Sequence, residues 1–156
     1  MTASVKSTLT LLVRVGLVLL LVFLTPVQVR AAELKLEAKL IWGTNDETSP
    51  DPTHKLVDKE MTEKLRKVFK WKNYFLVNRQ KATIPSRSSR QIELSKKCTI
   101  EVTELQGPEV EVTLIGEGKL VNRTRHHLAK GEYFTIGGGD KNGRAWFIIV
   151  TELDEK

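Results

Sequence analysis

The stretch ELKLEAKLIW, residues 33–42, alternates apolar and charged side chains from its first position to its eighth. Successive side chains of a β-strand point to opposite faces, so this pattern predicts a strand with one buried and one solvated face. The expected buried face carries Leu34, Leu36, Ala38, Leu40 and Trp42. This is the clearest strand signal in the chain.

The same period of two returns further along, in short runs separated by turn residues. These predicted strands cover residues 73–81, 91–95, 98–105, 109–115, 119–125, 132–136 and 145–151. The last of them, AWFIIVT, is apolar on both faces, as expected for a central strand or one covered on both sides.

Glycines indicate how the later strands are joined. Gly116 and Gly118 predict a bulge or sharp bend. The glycine-rich residues 137–143 end in Asn142 and Gly143, the strongest short signal of a β-hairpin. A phosphate-binding loop would instead need Lys followed by Ser or Thr, and then a helix. We therefore predict a hairpin there.

Residues 58–70 follow the helical period instead. Asp58 is a suitable N-cap, and Met61, Leu65, Val68 and Phe69 form one apolar face. One helix and about eight short strands at hairpin distances predict an α+β fold that is mainly β. The expected architecture is an antiparallel β-sandwich or open barrel with one amphipathic helix.

The N-terminal residues 1–31 resemble an export signal. A basic start is followed by VGLVLLLVFL at residues 15–24, by Pro26, and by small residues suited to cleavage after Ala31. The alternative is an N-terminal membrane anchor, but the apolar run is shorter than the roughly 20 residues that a spanning helix needs. We expect a single β-rich domain, residues 32–156, exported to the periplasm, the cell envelope or the extracellular space.

Positive charge is concentrated in one part of the chain. Residues 59–97 hold twelve Lys or Arg and only three Asp or Glu, whereas the whole chain carries a net charge of +6. Such a block can form a surface for an anionic partner, unless the fold disperses it. Within it, residues 67–75 interleave cations with aromatic side chains, which suits charge pairing together with stacking.

We therefore predict an exported, non-enzymatic binding domain. Its expected binding residues are Arg66, Lys67, Lys70, Trp71, Lys72, Tyr74 and Arg79. The expected partner is an anionic polymer, an anionic membrane surface or another exported protein, and export makes nucleic acid an improbable one. The competing interpretation of the aromatic residues is that they anchor the helix end in the core.

Catalytic and metal-binding motifs are absent from the sequence. His126 and His127 would point to opposite faces of a strand, His54 lies in a proline-rich loop, and Cys98 is expected to be buried beside Ile100. No metal or other cofactor is therefore expected. Two alternatives remain open, namely a small hydrolase-like enzyme whose site is assembled only by folding, and a structural subunit of an envelope assembly.

Overall fold

A computed structural model describes residues 33–139 and 143–154, which belong to one compact unit of the chain. The predicted export signal and its cleavage site lie outside the described residues. The helix, α1, spans Lys59–Val68. The strands are β1 Leu34–Thr44, β2 Lys55–Leu56, β3 Asn73–Ile84, β4 Ser89–Ser95, β5 Cys98–Glu104, β6 Glu109–Gly116, β7 Lys119–His127, β8 Tyr133–Gly139 and β9 Ala145–Glu152.

The strands form two antiparallel sheets. One has five strands in the order β2-β3-β1-β9-β8, and the other has four in the order β4-β5-β6-β7. The prediction of a mainly β, antiparallel sandwich with one helix is confirmed. All eight predicted strands are present, and the two-residue β2, which pairs with β3, is an addition that the sequence did not indicate.

The main core lies between the two sheets. The predicted inward face of β1 contributes Leu34, Leu36, Ala38 and Leu40 to it. The four-stranded sheet contributes Ile92, Leu94, Ile100, Val102, Val110, Val112 and Leu114. Alternate positions of neighbouring strands thus meet across the sandwich, as the period of two requires.

The helix covers the outer face of the five-stranded sheet at one end. The Asp58 carboxylate accepts a hydrogen bond from the backbone N–H of Met61 at 2.9 Å, as predicted for an N-cap. Leu65 is buried in a second core cluster, with Met61 and Phe69 packed against that cluster. The prediction for Val68 is wrong, because its side chain is 75 % exposed. The helix ends at Val68, and the extended backbone of Phe69 turns that ring inward instead.

Strand β9 is interior, as its two apolar faces predicted. Ile148 packs in the core between the sheets and Ile149 packs in the cluster under α1, each fully buried. β8 and β9 form the predicted hairpin, although residues 140–142 of its turn lie outside the described residues. In register, Gly138 of β8 faces Trp146 of β9. A Cβ at Gly138 would lie 2.5 Å from Trp146 Cζ2, so the indole occupies the space that a side chain would fill.

The bend predicted around Gly116 and Gly118 is the hairpin turn between β6 and β7. Glu117 and Gly118 both have positive φ angles, of 50° and 77°, which is the pattern of a type I′ turn. Cys98 lies on the same face as the buried Ile100, as predicted, but its own side chain is only half buried.

Candidate functional site

The fold divides the basic block among several surfaces. Its cations lie on α1, on β3 of the five-stranded sheet, and on β4 and the β4–β5 turn of the four-stranded sheet. The block is therefore spread over several elements of both sheets.

Four of the predicted binding residues do come together where α1 leads into β3. They line a depression of about 740 Å³, which we call the basic depression. Four other lining residues were not predicted to bind. Three come from the loop after β1 and the start of β3, where short polar residues carry no binding signal of their own, and the fourth, Phe69, was predicted to lie on the apolar face of the helix. The lining residues are Arg66, Phe69, Lys70, Trp71, Lys72, Asn45, Glu47 and Asn73.

Hydrogen bonds hold the backbone of the basic depression in place. The Arg66 guanidinium donates to the carbonyl of Lys72, with Nε at 3.1 Å. The N–H of Lys72 in turn donates to Asn45 Oδ1 at 3.1 Å, and Asn73 Nδ2 donates to the carbonyl of Asp46 at 2.8 Å. The two loops that form the depression are thus tied to each other before any ligand binds.

Three lysine ammonium groups of this region have no carboxylate partner in the described part of the chain. Within residues 33–139 and 143–154, Lys67, Lys70 and Lys72 make no ion pair. Lys70 Nζ lies 5.5 Å from the centre of the Trp71 ring, a cation–π distance. The two ammonium groups of the basic depression, those of Lys70 and Lys72, can therefore attract an anion against only one lining carboxylate, Glu47.

Trp71 belongs to the core as well as to the basic depression. Its ring packs edge-on against Phe147 with 5.5 Å between centroids, and its Nε1 donates to the carbonyl of Gly143 at 2.8 Å. Tyr74 is fully buried in the same cluster, so the structure places it away from the predicted surface. For Tyr74, the competing interpretation of the aromatic residues as core anchors is the one that matches its position.

The remaining predicted residues lie outside the basic depression. Lys67 is exposed on α1 but does not line it. Arg79 lies further along β3, where its Nε is 3.5 Å from Glu37 Oε2. Glu37 also pairs with Lys39 at 2.8 Å, so Arg79 is part of an ion-pair network on the sheet.

A polar cluster in the proline-rich loop bears on the enzymatic alternative. Ser49 Oγ lies 2.7 Å from His54 Nδ1, and Asp51 Oδ2 lies 3.7 Å from His54 Nε2. A catalytic triad would need the carboxylate hydrogen-bonded to the ring, and 3.7 Å is too long for that. The Asp51 carboxylate instead accepts two hydrogen bonds from Thr53, which lower its pKa. The hydrogen bonds of this cluster therefore join residues of the same loop and stabilise its conformation.

The groups with shifted ionisation do not converge on one site. Burial raises the pKa of the Cys98 thiol, which disfavours the thiolate that a nucleophile would need. Burial also lowers the pKa of His126, whose ring stacks on Phe134 with 4.0 Å between centroids. Cys98 and His126 lie on different strands, β5 and β7, that are not neighbours in their sheet.

A second concave region lies between the two sheets and was not predicted from the sequence. This apolar cavity has a volume of about 600 Å³, and its walls include Trp42, Trp146, Leu114 and Cys98. A tryptophan on the inward face of β1 was its only sequence signal. An inward tryptophan is as typical of a filled core as of a cavity wall.

Among the described residues, no helix is both long and apolar enough to cross a membrane. No protein-family model, curated protein or solved structure matches the chain.

Proposed function

We propose that this protein is an exported, non-enzymatic binding domain whose basic depression binds an acidic polysaccharide. The observation that carries the proposal is the convergence of Arg66, Lys70 and Lys72 with the partly buried Trp71 in one concave region. Cations suit sulfate or carboxylate groups, and an aromatic edge suits the apolar face of a sugar ring.

The concave shape favours a polymer chain over an anionic membrane. A planar bilayer contacts projecting groups, whereas a depression admits a chain that enters it. The hydrogen bonds that Lys72 makes with Arg66 and Asn45 order the backbone before a ligand binds. Binding therefore loses little further conformational entropy of the protein.

The test compares charge reversals inside and outside the basic depression. Lys70→Glu with Lys72→Glu should weaken binding to a heparin-like polymer by about tenfold or more, because each exposed pair contributes about 0.2–1 kcal/mol and reversal adds repulsion. Titration calorimetry at low salt measures the affinity. Raising the salt should weaken binding to the unaltered protein, because the screening length falls from about 10 Å at 0.1 M to about 3 Å at 1 M.

Lys67→Glu is the matched control for the single variant Lys70→Glu, which should weaken binding by about threefold or more, half of the free-energy effect of the double variant. Lys67→Glu makes the same change of charge on an exposed lysine of the same region, but outside the basic depression. Its affinity should fall by no more than about twofold, as expected for a screened, more distant charge. An effect of Lys67→Glu as large as that of Lys70→Glu would mean that overall charge binds the polymer. Absence of binding, or binding only to anionic vesicles, would refute the proposal.

Export is part of the same proposal, supported by the short apolar run at residues 15–24 and the small residues that follow it. N-terminal sequencing of the protein from the export fraction should give a start at or within a few residues of Ala32. An intact Met1 on membrane-retained protein would instead identify an N-terminal anchor.

A further inference from the structure

The apolar cavity lies at one end of the space between the sheets. Trp42 of β1 and Trp146 of β9 are register partners and line it from the five-stranded sheet. Leu114, Cys98 and other residues of β5–β7 line it from the four-stranded sheet. Its volume of about 600 Å³ is within the range of small-molecule sites, and its lining is mainly apolar.

The cavity exists because small residues face large ones. Along β5 and β6, the register pairs Ile100 with Leu114, and these side chains fill the core. Two residues further along, Cys98 pairs with Gly116, and a short thiol beside a residue without a side chain leaves the same gap unfilled. On the opposite sheet, the Trp146 ring lies over Gly138. Part of the Trp146 ring therefore packs against β8 and does not fill the space between the sheets.

One buried polar atom in the cavity wall has no partner. Trp42 Nε1 is the only buried side-chain nitrogen or oxygen in the described part of the chain that lacks a hydrogen bond. A buried donor without an acceptor is unfavourable, and most such groups in folded proteins are satisfied. The indole N–H of this cavity-lining residue is therefore a donor that a ligand oxygen can satisfy, provided that the ring turns its buried Nε1 toward the cavity.

The chemistry of the lining changes from the interior to the rim. Leu40, Val77 and Leu114 supply aliphatic surface. Lys97 and Glu117, in the hairpin turns at this end, form an exposed ion pair at 3.1 Å. An apolar interior with charges at the rim suits an amphiphile whose polar end stays near water.

We infer that this cavity binds the acyl chain of a monoacyl lipid such as a free fatty acid. The chain lies against Leu40, Val77 and Leu114, and a carboxyl oxygen accepts a hydrogen bond from Trp42 Nε1. The site is separate from the basic depression, so its test stands whether or not a polysaccharide binds.

The direct test is binding of dodecanoic acid to the purified protein, followed by displacement of the neutral dye N-phenyl-1-naphthylamine. Binding should saturate at one molecule per chain and change the fluorescence of Trp42 and Trp146. It should also slow maleimide modification of Cys98, the single cysteine, by about tenfold, because Cys98 lines the cavity. Absence of saturable binding, or unchanged modification of Cys98 in the complex, would overturn the inference.

Two substitutions at Cys98 locate the ligand. Cys98→Phe should fill the cavity and abolish binding of both dye and acid, whereas the nearly isosteric Cys98→Ser should retain it. Circular dichroism and thermal unfolding identify folded protein. A folded Cys98→Phe variant that binds dodecanoic acid normally would place the ligand elsewhere. If Cys98→Phe does not fold, Val77→Phe on the opposite sheet serves the same purpose, with the same expected loss.

Trp42→Phe tests the hydrogen bond. It removes the donor but keeps an aromatic wall, so dodecanoic acid should bind about fivefold more weakly, the effect of one hydrogen bond. The dye has no oxygen acceptor, and its affinity should stay within about twofold. Equal weakening of both molecules would show that the substitution acts through shape, and would overturn the assigned contact.

Discussion

Two neighbouring glycines of β8 provide a controlled test of the packing described above. A Cβ at Gly138 would lie 2.5 Å from Trp146 Cζ2, whereas a Cβ at Gly139 would find its nearest neighbour, the carbonyl of Arg144, at 3.9 Å. Gly138→Ala and Gly139→Ala thus make the same chemical change one residue apart on one strand. Only the first should require the structure to move.

The expected difference follows from two opposing terms. Overpacking costs typically about 1–3 kcal/mol, and replacing glycine by alanine recovers about 0.4–1 kcal/mol by restricting the unfolded chain. The free energy of unfolding should therefore fall by about 1–2 kcal/mol in Gly138→Ala and rise slightly, or stay unchanged, in Gly139→Ala. In a domain of this size, each kcal/mol shifts the Tm by about 3–5 °C.

Urea unfolding followed by tryptophan fluorescence measures both variants. Trp146 lies between Gly138 and the apolar cavity, so a ring displaced from β8 should also occupy part of the cavity and weaken dodecanoic acid binding. Equal stability of Gly138→Ala and the unaltered protein would refute the close approach of the ring. An equal loss in Gly139→Ala would show that strand flexibility, not contact with Trp146, is what the glycines provide.

Two further predictions concern the core and its pH dependence. Ile148→Ala and Ile149→Ala should each lower the free energy of unfolding by about 2–5 kcal/mol in urea titrations, because the two side chains are fully buried on opposite faces of β9. Leu120→Ala is the control, since this residue is 64 % exposed, and it should change the free energy of unfolding by less than about 0.5 kcal/mol. Unchanged midpoints for both isoleucines would contradict an interior β9. Burial lowers the pKa of His126 in the fold, so the unfolded chain takes up the proton first and stability should fall as the pH drops through about 6.5. His126→Gln should reduce that fall, with His127→Gln as the control at the neighbouring ring, and an undiminished fall in His126→Gln would refute this origin.

Local patterns predicted most of the fold because strands and hairpins are specified by neighbouring residues. The alternation of residues 33–42 and the doubly apolar 145–151 both gave the correct strand. Leu34, Leu36, Ala38 and Leu40 are buried as predicted, whereas the prediction of a solvated Glu37 is wrong, because its side chain is buried in its ion pairs with Lys39 and Arg79. The helix face failed at Val68, where the exposed position depends on where the helix ends against the sheet. The two-residue β2 is exposed on both positions and carries no alternation to detect.

The two concave regions differ in how far the sequence indicates them. Arg66, Lys70 and Lys72 of the basic depression come from one continuous segment, so their clustering was predictable. The apolar cavity depends on which β5 residue pairs with Gly116 and on what the opposite sheet presents there. That pairing joins residues far apart in the sequence, so local patterns do not predict it. A glycine within a strand pattern is also a typical signal of a turn, as it was interpreted at Gly116.

Gly143 and Arg144, immediately before β9, contact residues of both concave regions. The carbonyl of Gly143 holds Trp71 of the basic depression, and the Arg144 guanidinium lies 5.8 Å from the centre of the Trp42 ring in the wall of the apolar cavity. Arg144 is also 3.6 Å from Asp46, whose carbonyl fixes Asn73 in the basic depression. If binding of one ligand shifts these contacts, each ligand must change the affinity for the other by the same factor. Measuring the polysaccharide affinity at rising concentrations of dodecanoic acid, and the reverse, therefore separates two sites from one shared site. We expect the affinity to level off once the acid saturates its cavity, because both ligands then bind at once. An affinity that keeps falling as the acid concentration rises would instead show that the ligands compete for one site.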